Sequence, residues 1–449
     1  MDCEAVILAA GLGTRMVSAT PKALHRLGGQ PLLTWVERAC REAVARPPVV
    51  VIGPEAGAEA AQVVPPDVRF VVQEARRGTG HALQQAAAVL RGHADLVLVA
   101  TADMPLIRGE SLRRLVERQT THAGPVTMMT IRAVEARGFG RVERGPDGEV
   151  RAVVEEAMAD AAQLAIGEFN ASLYCFRARW LWDELPRLRE SPQGEMYLTD
   201  LVARAAAAGG VAVEPVADPD EVIGINTREH LALAERALRR RVNRGWMLAG
   251  VSLVDPETTY IESSVQLAPD VEVLPNTHLR GATVVGRGSR LGPNTVVTDS
   301  IIGEACRVEA SVIEGARLED EVRIGPFAHL RSGARLGRGV HMGNFGEVKN
   351  SVLGAGVKMG HFSYVGDAEI GAETNIGAGT ITCNFSRDGK KNRTRVGKGV
   401  FLGSDSLLVA PVEIGDAAAT GAGSVVTRDV PAGRLAVGMP ARVVRHLEE

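Results

Sequence analysis

The chain has 449 residues, 45% of them hydrophobic and 23% charged, with a formal net charge of −3 at pH 7. That length predicts two or three domains, and near-neutral charge of mixed sign excludes the basic footprint of a nucleic-acid or membrane-surface binder. The N-terminus Met1-Asp2-Cys3-Glu4 is acidic and the apolar run behind it is short, which argues against a secretory signal. No apolar stretch is long enough to read as a membrane span. Cys3, Cys40, Cys175, Cys306 and Cys383 lack metal-ligand spacing, so the expectation is a cytoplasmic protein whose cysteines are small buried apolar side chains.

Ala5 to Ala10 is an apolar run that breaks into Gly11-Leu12-Gly13-Thr14-Arg15-Met16, followed by Pro21-Lys22. A strand ending in a glycine loop delivers backbone N–H groups to an anion, and Arg15 and Lys22 add two cations, a combination suited to a polyphosphate. The spacing is neither that of a P-loop nor the Gly-x-Gly-x-x-Gly of a dinucleotide fold. Val49–Ile52, Asp95–Ala100 and Val126–Ile131 read as further strands, with helices over His81–Arg91 and Ser111–Gln119 between them. This alternation predicts a Rossmann-like α/β domain with a mainly parallel sheet, and ligands beyond the carboxyl ends of its strands. Leu231 to Arg244 reads as one long basic linker helix.

From about Leu253 the pattern changes. An aliphatic residue, often followed by glycine, returns every six residues, as in Val285-Gly286, Leu291-Gly292 and Val297, and then through Ile324-Gly325, Leu330, Leu336-Gly337 and Met342-Gly343 to Val426. Neither an amphipathic helix nor an alternating strand has that period, which marks a parallel β-helix, read here as left-handed. The expected boundaries are 1–228 for the first domain, 229–250 for the linker helix and 251–449 for the hexapeptide-repeat domain. The period fails between Thr382 and Val396, where Cys383-Asn384-Phe385-Ser386-Arg387-Asp388-Gly389-Lys390-Lys391-Asn392-Arg393 is a loop ejected from the coil. Such loops commonly carry function, although a Lys/Arg cluster by itself is usually a solvated surface.

Leu8-Ala9-Ala10-Gly11 through Arg15, with Pro21-Lys22, resembles the signature of sugar-nucleotide pyrophosphorylases. Joined to hexapeptides carrying Glu347-Val348-Lys349-Asn350 and His361-Phe362-Ser363-Tyr364-Val365-Gly366-Asp367, the chain resembles bacterial bifunctional N-acetylglucosamine-1-phosphate uridyltransferase/glucosamine-1-phosphate acetyltransferases over nearly its whole length. The resemblance implies acetylation of glucosamine 1-phosphate by acetyl-CoA, then uridylylation of N-acetylglucosamine 1-phosphate by UTP with release of pyrophosphate. It also implies a homotrimer with ligands between neighbouring prisms.

For the first reaction centre the resemblance implies that Leu8, Ala9, Ala10 and Gly11 contact the nucleotide, and that Arg15 and Lys22 hold its triphosphate. Gln73, Gly78 and Thr79 would read the uracil, since a side-chain amide both donates to and accepts from a base edge. Asp103 and Asn226 would hold Mg²⁺, an ion suited to hard oxygen ligands. Gly140, Glu155, Asn170 and Asn226 would bind the sugar phosphate. For the second centre it implies His361 as the base, with a reference pKa near cytoplasmic pH, and a sugar-phosphate site of Arg331, Lys349, Tyr364 and Asn375. Asn384 would orient the acetyl group or the base. Phe385, Ala378, Ser404 and Ala422 would lie along the coenzyme, and Arg442 would either meet its phosphates or be a solvated surface residue.

The chain departs from the family pattern at Thr101-Ala102 (often Tyr-Gly), Phe139 (usually Tyr) and Ala171-Ser172 (Thr-Gly). The ejected loop has two extra residues, which leaves both Lys390 and Lys391 as candidates for the family's lysine. Two rival readings stand beside the bifunctional enzyme: a single-activity pyrophosphorylase whose β-helix is a scaffold for oligomerisation or regulation, and a non-enzymatic sugar-nucleotide-binding protein. Arg331, Lys349 and His361 argue against the first; Arg15, Lys22 and Asp103 argue against the second.

Overall fold

The structure, a computed structural model, describes residues 1–132, 138–192 and 194–446. It divides into two compact units, Met1–Leu238 and Arg239–Glu449.

The first unit is built on one sheet. Its strands are β1 (Cys3–Ala9), β2 (Val49–Ile52), β3 (Arg69–Val72), β4 (Leu96–Thr101), β5 (Val126–Arg132), β6 (Arg141–Arg144), β7 (Val150–Val154), β8 (Glu168–Arg177) and β9 (Val211–Pro215). The main order is β9-β5-β8-β4-β1-β2-β3, with the β6–β7 hairpin attached to β8. Strands β1, β2 and β4 are apolar without alternation because helices cover both faces of the sheet. Among those helices are α1 (Leu32–Val44), α2 (Gly78–Leu90) and α3 (Gly109–Thr121). β8 alone of the main path is antiparallel to its neighbours, β4 and β5, so the sheet is mixed at that point. Its register slips between Asn170 and Tyr174, where Ser172 takes a left-handed φ of 54°.

The helix expected over Leu231–Arg244 runs further at both ends, as α4 (Arg228–Leu248). Met247 and Leu248 are good helix formers, and the run stops only at Gly250, whose φ of 91° needs no β-carbon.

The second unit is a left-handed parallel β-helix. Its strands stack into three sheets of 12, 10 and 9 members, each joining a position in one coil to its equivalent in the next. The register Val273↔Leu291↔Val308↔Ile324↔Met342↔Met359 shows coils of 16 to 18 residues whose inward side chains form a continuous buried column. That is the physical origin of the six-residue period: three faces per coil, one inward aliphatic residue per face. At the corners the chain turns inward with small hydroxyl residues. Thr277, Thr283 and Ser289 are buried and donate to the carbonyls of Leu274, Arg280 and Gly303, which satisfies acceptors that the strands leave unpaired.

The inward column also sets the energetic scale. Leu330 is fully buried among such residues, so Leu330→Ala is expected to destabilise by about 3 kcal/mol through lost burial and an unfilled cavity. Outward-facing Arg317→Ala is expected to cost under about 0.5 kcal/mol. Urea denaturation of the two variants, followed by circular dichroism, checks the contrast.

Candidate active sites

A cavity of about 680 Å³ opens at the carboxyl ends of β1 and β4. Leu8, Ala9, Ala10, Gly11, Arg15, Lys22, Gln73, Gly78, Thr79, Asp103 and Glu155 all line it. The glycines there do different work. Gly13 has a φ of 66° and a β-carbon on it would lie 2.6 Å from Lys22 Cβ, so it permits both the turn and the seating of the lysine. Gly78, with a φ of 93°, packs directly on the backbone of Met196.

Lys22 is the electrostatic centre of this cavity. Its Nζ donates to Asp103 Oδ2 at 2.7 Å and to Asn226 Oδ1 at 3.1 Å. Asn226 reaches that point because the adjacent Ile225 N–H is bonded to the Asp103 carbonyl at 2.8 Å. Burial alone would push the Asp103 carboxyl up, but the charge of Lys22 and its hydrogen bond outweigh this and hold it below the usual carboxylate range.

Gln73 is buried, and its Nε2 is engaged by Gly78 O at 3.2 Å and His81 Nδ1 at 2.9 Å. Thr79 Oγ1 accepts from Leu198 N–H at 3.0 Å. Gly140 and Asn170 meet directly, Asn170 N–H donating to Gly140 O at 2.9 Å. Asn170 is itself buried, and its Nδ2 donates to the hydroxyl of Tyr174, a residue of the cavity wall, at 2.6 Å.

Sequence reasoning missed two parts of the wall. Arg76 donates from Nε to Ala10 O at 2.8 Å and pairs with Glu55, which ties the glycine loop to the segment before α2. Glu195, Tyr197, Leu198 and Thr199 form the opposite side, and Thr199 Oγ1 donates to Glu155 Oε1 at 2.7 Å. Glu155 has its carboxyl pushed up by burial, an effect that the Thr199 bond only partly opposes. Nothing in the Glu195–Thr199 stretch marks it as functional; it becomes part of the site by pairing with Arg77 and Gly80 far away in sequence.

In the β-helix the register places several of the anticipated residues in two corner columns. Pairings Lys358↔Asn375, Ile376↔Leu402 and Leu402↔Thr420 place His361, Ala378, Ser404 and Ala422 at equivalent positions, two residues beyond their strands. His361 is exposed at the corner that opens strand Ser363–Gly366. Asn375 lies on the face before that corner. Arg331 and Lys349 sit at the far corner of the following face, where Lys349 pairs with Gly366.

Arg331 pairs with Glu347 at 2.9 Å. Close approach of the Lys391 ammonium, and then the charge of Arg331, hold Lys349 below the ordinary lysine range. Lys390 instead pairs with Asp388 at 3.1 Å. The ejected loop is a small hairpin: Phe385 bridges to Lys391, and Asn392 N–H donates to Asn384 O at 2.7 Å. This fold aims Lys391, and not Lys390, at Lys349. Tyr364 Oη lies 3.4 Å from Asn384 Nδ2, and a β-carbon on Gly366 would collide with both. Phe385 and Arg442 are exposed, Arg442 on the terminal strand Ala441–His446.

Among the described residues no helix is long and apolar enough to cross a membrane, and no group of three or more His, Cys, Asp or Glu side chains forms a metal-binding cluster. All five cysteines are free, and four of them are buried.

A glycine loop at the end of a central strand, with an acid at the end of the adjacent one, defines the first unit as a nucleotidyltransferase, and residues 5–208 match the MobA-like NTP transferase domain. The whole chain is 44% identical over 449 residues to bifunctional protein GlmU of Pelobacter propionicus, covering 99% of this chain and 97% of that protein. It is 43% identical to the proteins of the same name from Trichlorobacter lovleyi, over 98% of this chain and 96% of the relative, and Geotalea uraniireducens, over 98% and 97%. The chain belongs to the bifunctional GlmU family. It is a bifunctional enzyme of UDP-N-acetylglucosamine synthesis, combining glucosamine-1-phosphate acetyltransferase and N-acetylglucosamine-1-phosphate uridyltransferase activities.

The raised pKa of Glu155 has a stability consequence. A carboxyl whose folded pKa lies above its unfolded value destabilises the native state above the folded pKa, and this is relieved as pH falls through it. Glu155→Gln, which keeps an acceptor for Thr199, is therefore expected to raise the melting temperature at neutral pH. The gain should shrink as the pH is lowered, as thermal melts across pH 4 to 8 would show.

Proposed function

We propose that residues 1–228 carry the uridyltransferase, residues 251–449 the acetyltransferase, and 229–250 the linker helix. In the first centre an oxygen of N-acetylglucosamine 1-phosphate attacks the α-phosphorus of UTP, the bond to the β-phosphate breaks and pyrophosphate leaves. The protein's work in such a step is positioning and charge neutralisation. Leu8, Ala9, Ala10 and Gly11 offer the backbone edge against which the nucleotide lies. Arg15 and Lys22 hold the phosphates and offset the charge that develops on them. Gln73, with its Nε2 held by Gly78 and His81, keeps Oε1 for the base edge, beside Gly78 and Thr79. Gly140, Glu155, Asn170 and Asn226 position the sugar phosphate.

The donor set fits Mg²⁺. The Asp103 carboxylate and the Asn226 carboxamide oxygen already converge on one cationic point, the Lys22 ammonium, and hard oxygen donors suit that ion. When bound, it would supply further neutralisation of phosphate charge.

In the second centre the amine nitrogen of glucosamine 1-phosphate forms a bond to the acetyl carbon of acetyl-CoA, the carbon–sulfur bond breaks, and the thiolate leaves. His361 takes the amine proton. Arg331, Lys349 and Lys391 form a cation cluster for the phosphate dianion, with Tyr364 and Asn375. Ala378, Ser404 and Ala422 continue the His361 column along the axis and form the bed of the coenzyme, with Asn384 and Phe385 at the loop and Arg442 near its phosphates.

Within one chain, His361 and the phosphate cluster stand at opposite corners of a face, so the centre is completed only when prisms lie side by side. Phe327, Phe345 and Phe362 add to this: each is more than half exposed, and the first two stack at 5.4 Å. A column of bare aromatic rings beside His361 fits burial against a second copy, and we take the assembly to be a cytoplasmic homotrimer.

The observation that carries this reading is the corner column that stacks Lys349 on Arg331, with Lys391 of the ejected loop brought up to it, an arrangement of cations that the inward aliphatic column does not need. Two measurements on the whole chain test it. Thiol release from acetyl-CoA with glucosamine 1-phosphate is expected in the wild type and lost in His361→Ala, which should retain pyrophosphate release; Asp103→Ala should show the reverse. Loss of both activities in either variant, or of neither, would overturn the assignment. Lys391→Ala is also expected to raise the KM for glucosamine 1-phosphate about tenfold, in keeping with one lost charge-assisted contact, whereas Lys390→Ala should change it less than about twofold.

A further inference from the structure

One buried carboxylate next to the second centre has no part in the reaction described above. Asp367 is only 6% exposed. It follows strand Ser363–Gly366, and the register places it in a corner column with Asn350 one coil before it and Asn384 one coil after it. Asn350 Nδ2 donates to its Oδ1 at 2.6 Å and Asn384 Nδ2 donates to its Oδ2 at 2.6 Å. No cation lies within ion-pair distance of it among the described residues. Asn350 and Asp367 both have left-handed backbones, with φ of 45° and 50°, conformations that Asn and Asp tolerate.

A carboxylate can only accept hydrogen bonds. Each carboxamide therefore has to turn its NH₂ toward Asp367, and a terminal amide whose nitrogen is held there has its oxygen directed elsewhere. We infer that Asp367 is a positioning residue of the acetyltransferase, which fixes the Asn384 side chain so that it offers Oδ1 to the substrate. An oxygen at that place accepts from the N–H of the attacking amine. It aligns the nucleophile and cannot donate to the acetyl carbonyl. Tyr364 Oη, 3.4 Å from the same Nδ2, reinforces the orientation. The inference rests on the reading of this corner as part of the acetyl-transfer site.

The test uses the whole protein, with pyrophosphate release as the internal measure of folding. Thiol release by the wild type and its loss in His361→Ala decide the reading of the site. The Asp367 variants, compared with the wild type, decide the inference. Asp367→Asn, which fits the backbone but can no longer hold both carboxamides, is expected to lower kcat for acetyl transfer at least about tenfold, with KM for both substrates within about threefold, as expected for a misaligned nucleophile. Asn350→Gly keeps the left-handed turn and removes only the other arm, so it should leave kcat within about threefold of the wild type. The exchange Asp367→Asn/Asn384→Asp restores a donor facing an acceptor and keeps an oxygen toward the amine, so it should recover most of the loss. An exchange no better than Asp367→Asn alone would overturn the inference. So would a loss in Asn350→Gly as large as that in Asp367→Asn, because the carboxylate would then serve the turn and not Asn384.

Discussion

The second half of this protein depends on one constraint: every strand of a coil is hydrogen-bonded in parallel to the same strand of the next, about 4.8 Å away. This repetition converts sequence separations of 16 to 18 residues into neighbours. An inward aliphatic column follows from it, and so do the corner columns that gather His361 with Ala378, Ser404 and Ala422, and Asn350 with Asp367 and Asn384. Chemistry and stability share a mechanism here. The same ladder that buries Leu330 sets the spacing of the polar groups outside it.

The first half solves a different problem. Its cavity is built from backbone at strand ends and from a lysine shared between two oxygens. Lys22 meets Asp103 and Asn226, which lie 81 and 204 positions away in the chain. The sheet brings the first pair together, because β1 and β4 are adjacent parallel strands whose carboxyl ends open on the same side. A single backbone bond from Ile225 to Asp103 brings the third residue in.

What could be read from the sequence was whatever has a period or a local signature. The strand–helix alternation, the glycine loop and the hexapeptide repeat each encode structure within a few residues, and each appears where expected. The anticipated nucleotide residues Leu8 to Gly11, Lys22, Gln73, Gly78 and Thr79 do share one cavity. Contacts that arise only from long-range pairing were not legible. The Glu195–Thr199 wall exists because Met196 is hydrogen-bonded to Arg77 and Gly80, and no local pattern announces such a bond. Ser172 could not be recognised as left-handed, because serine is not a residue type that signals that backbone. The choice between Lys390 and Lys391 likewise needed the hairpin of the loop, which is set by the Phe385–Lys391 bridge.

That hairpin leaves the solenoid undisturbed. Ile376 pairs with Leu402 in the next coil although 26 positions separate them, against 17 between Met342 and Met359. The surplus chain leaves and re-enters at the same level of the prism, so the axial repeat does not record how long the excursion is. Closing a loop costs free energy only logarithmically in its length, so two additional residues in one of about ten amount to roughly 0.2 kcal/mol. This segment can therefore lengthen, shorten or change composition while everything stacked above and below it keeps its place, and the surface beside it can be remodelled without refolding the scaffold that carries it.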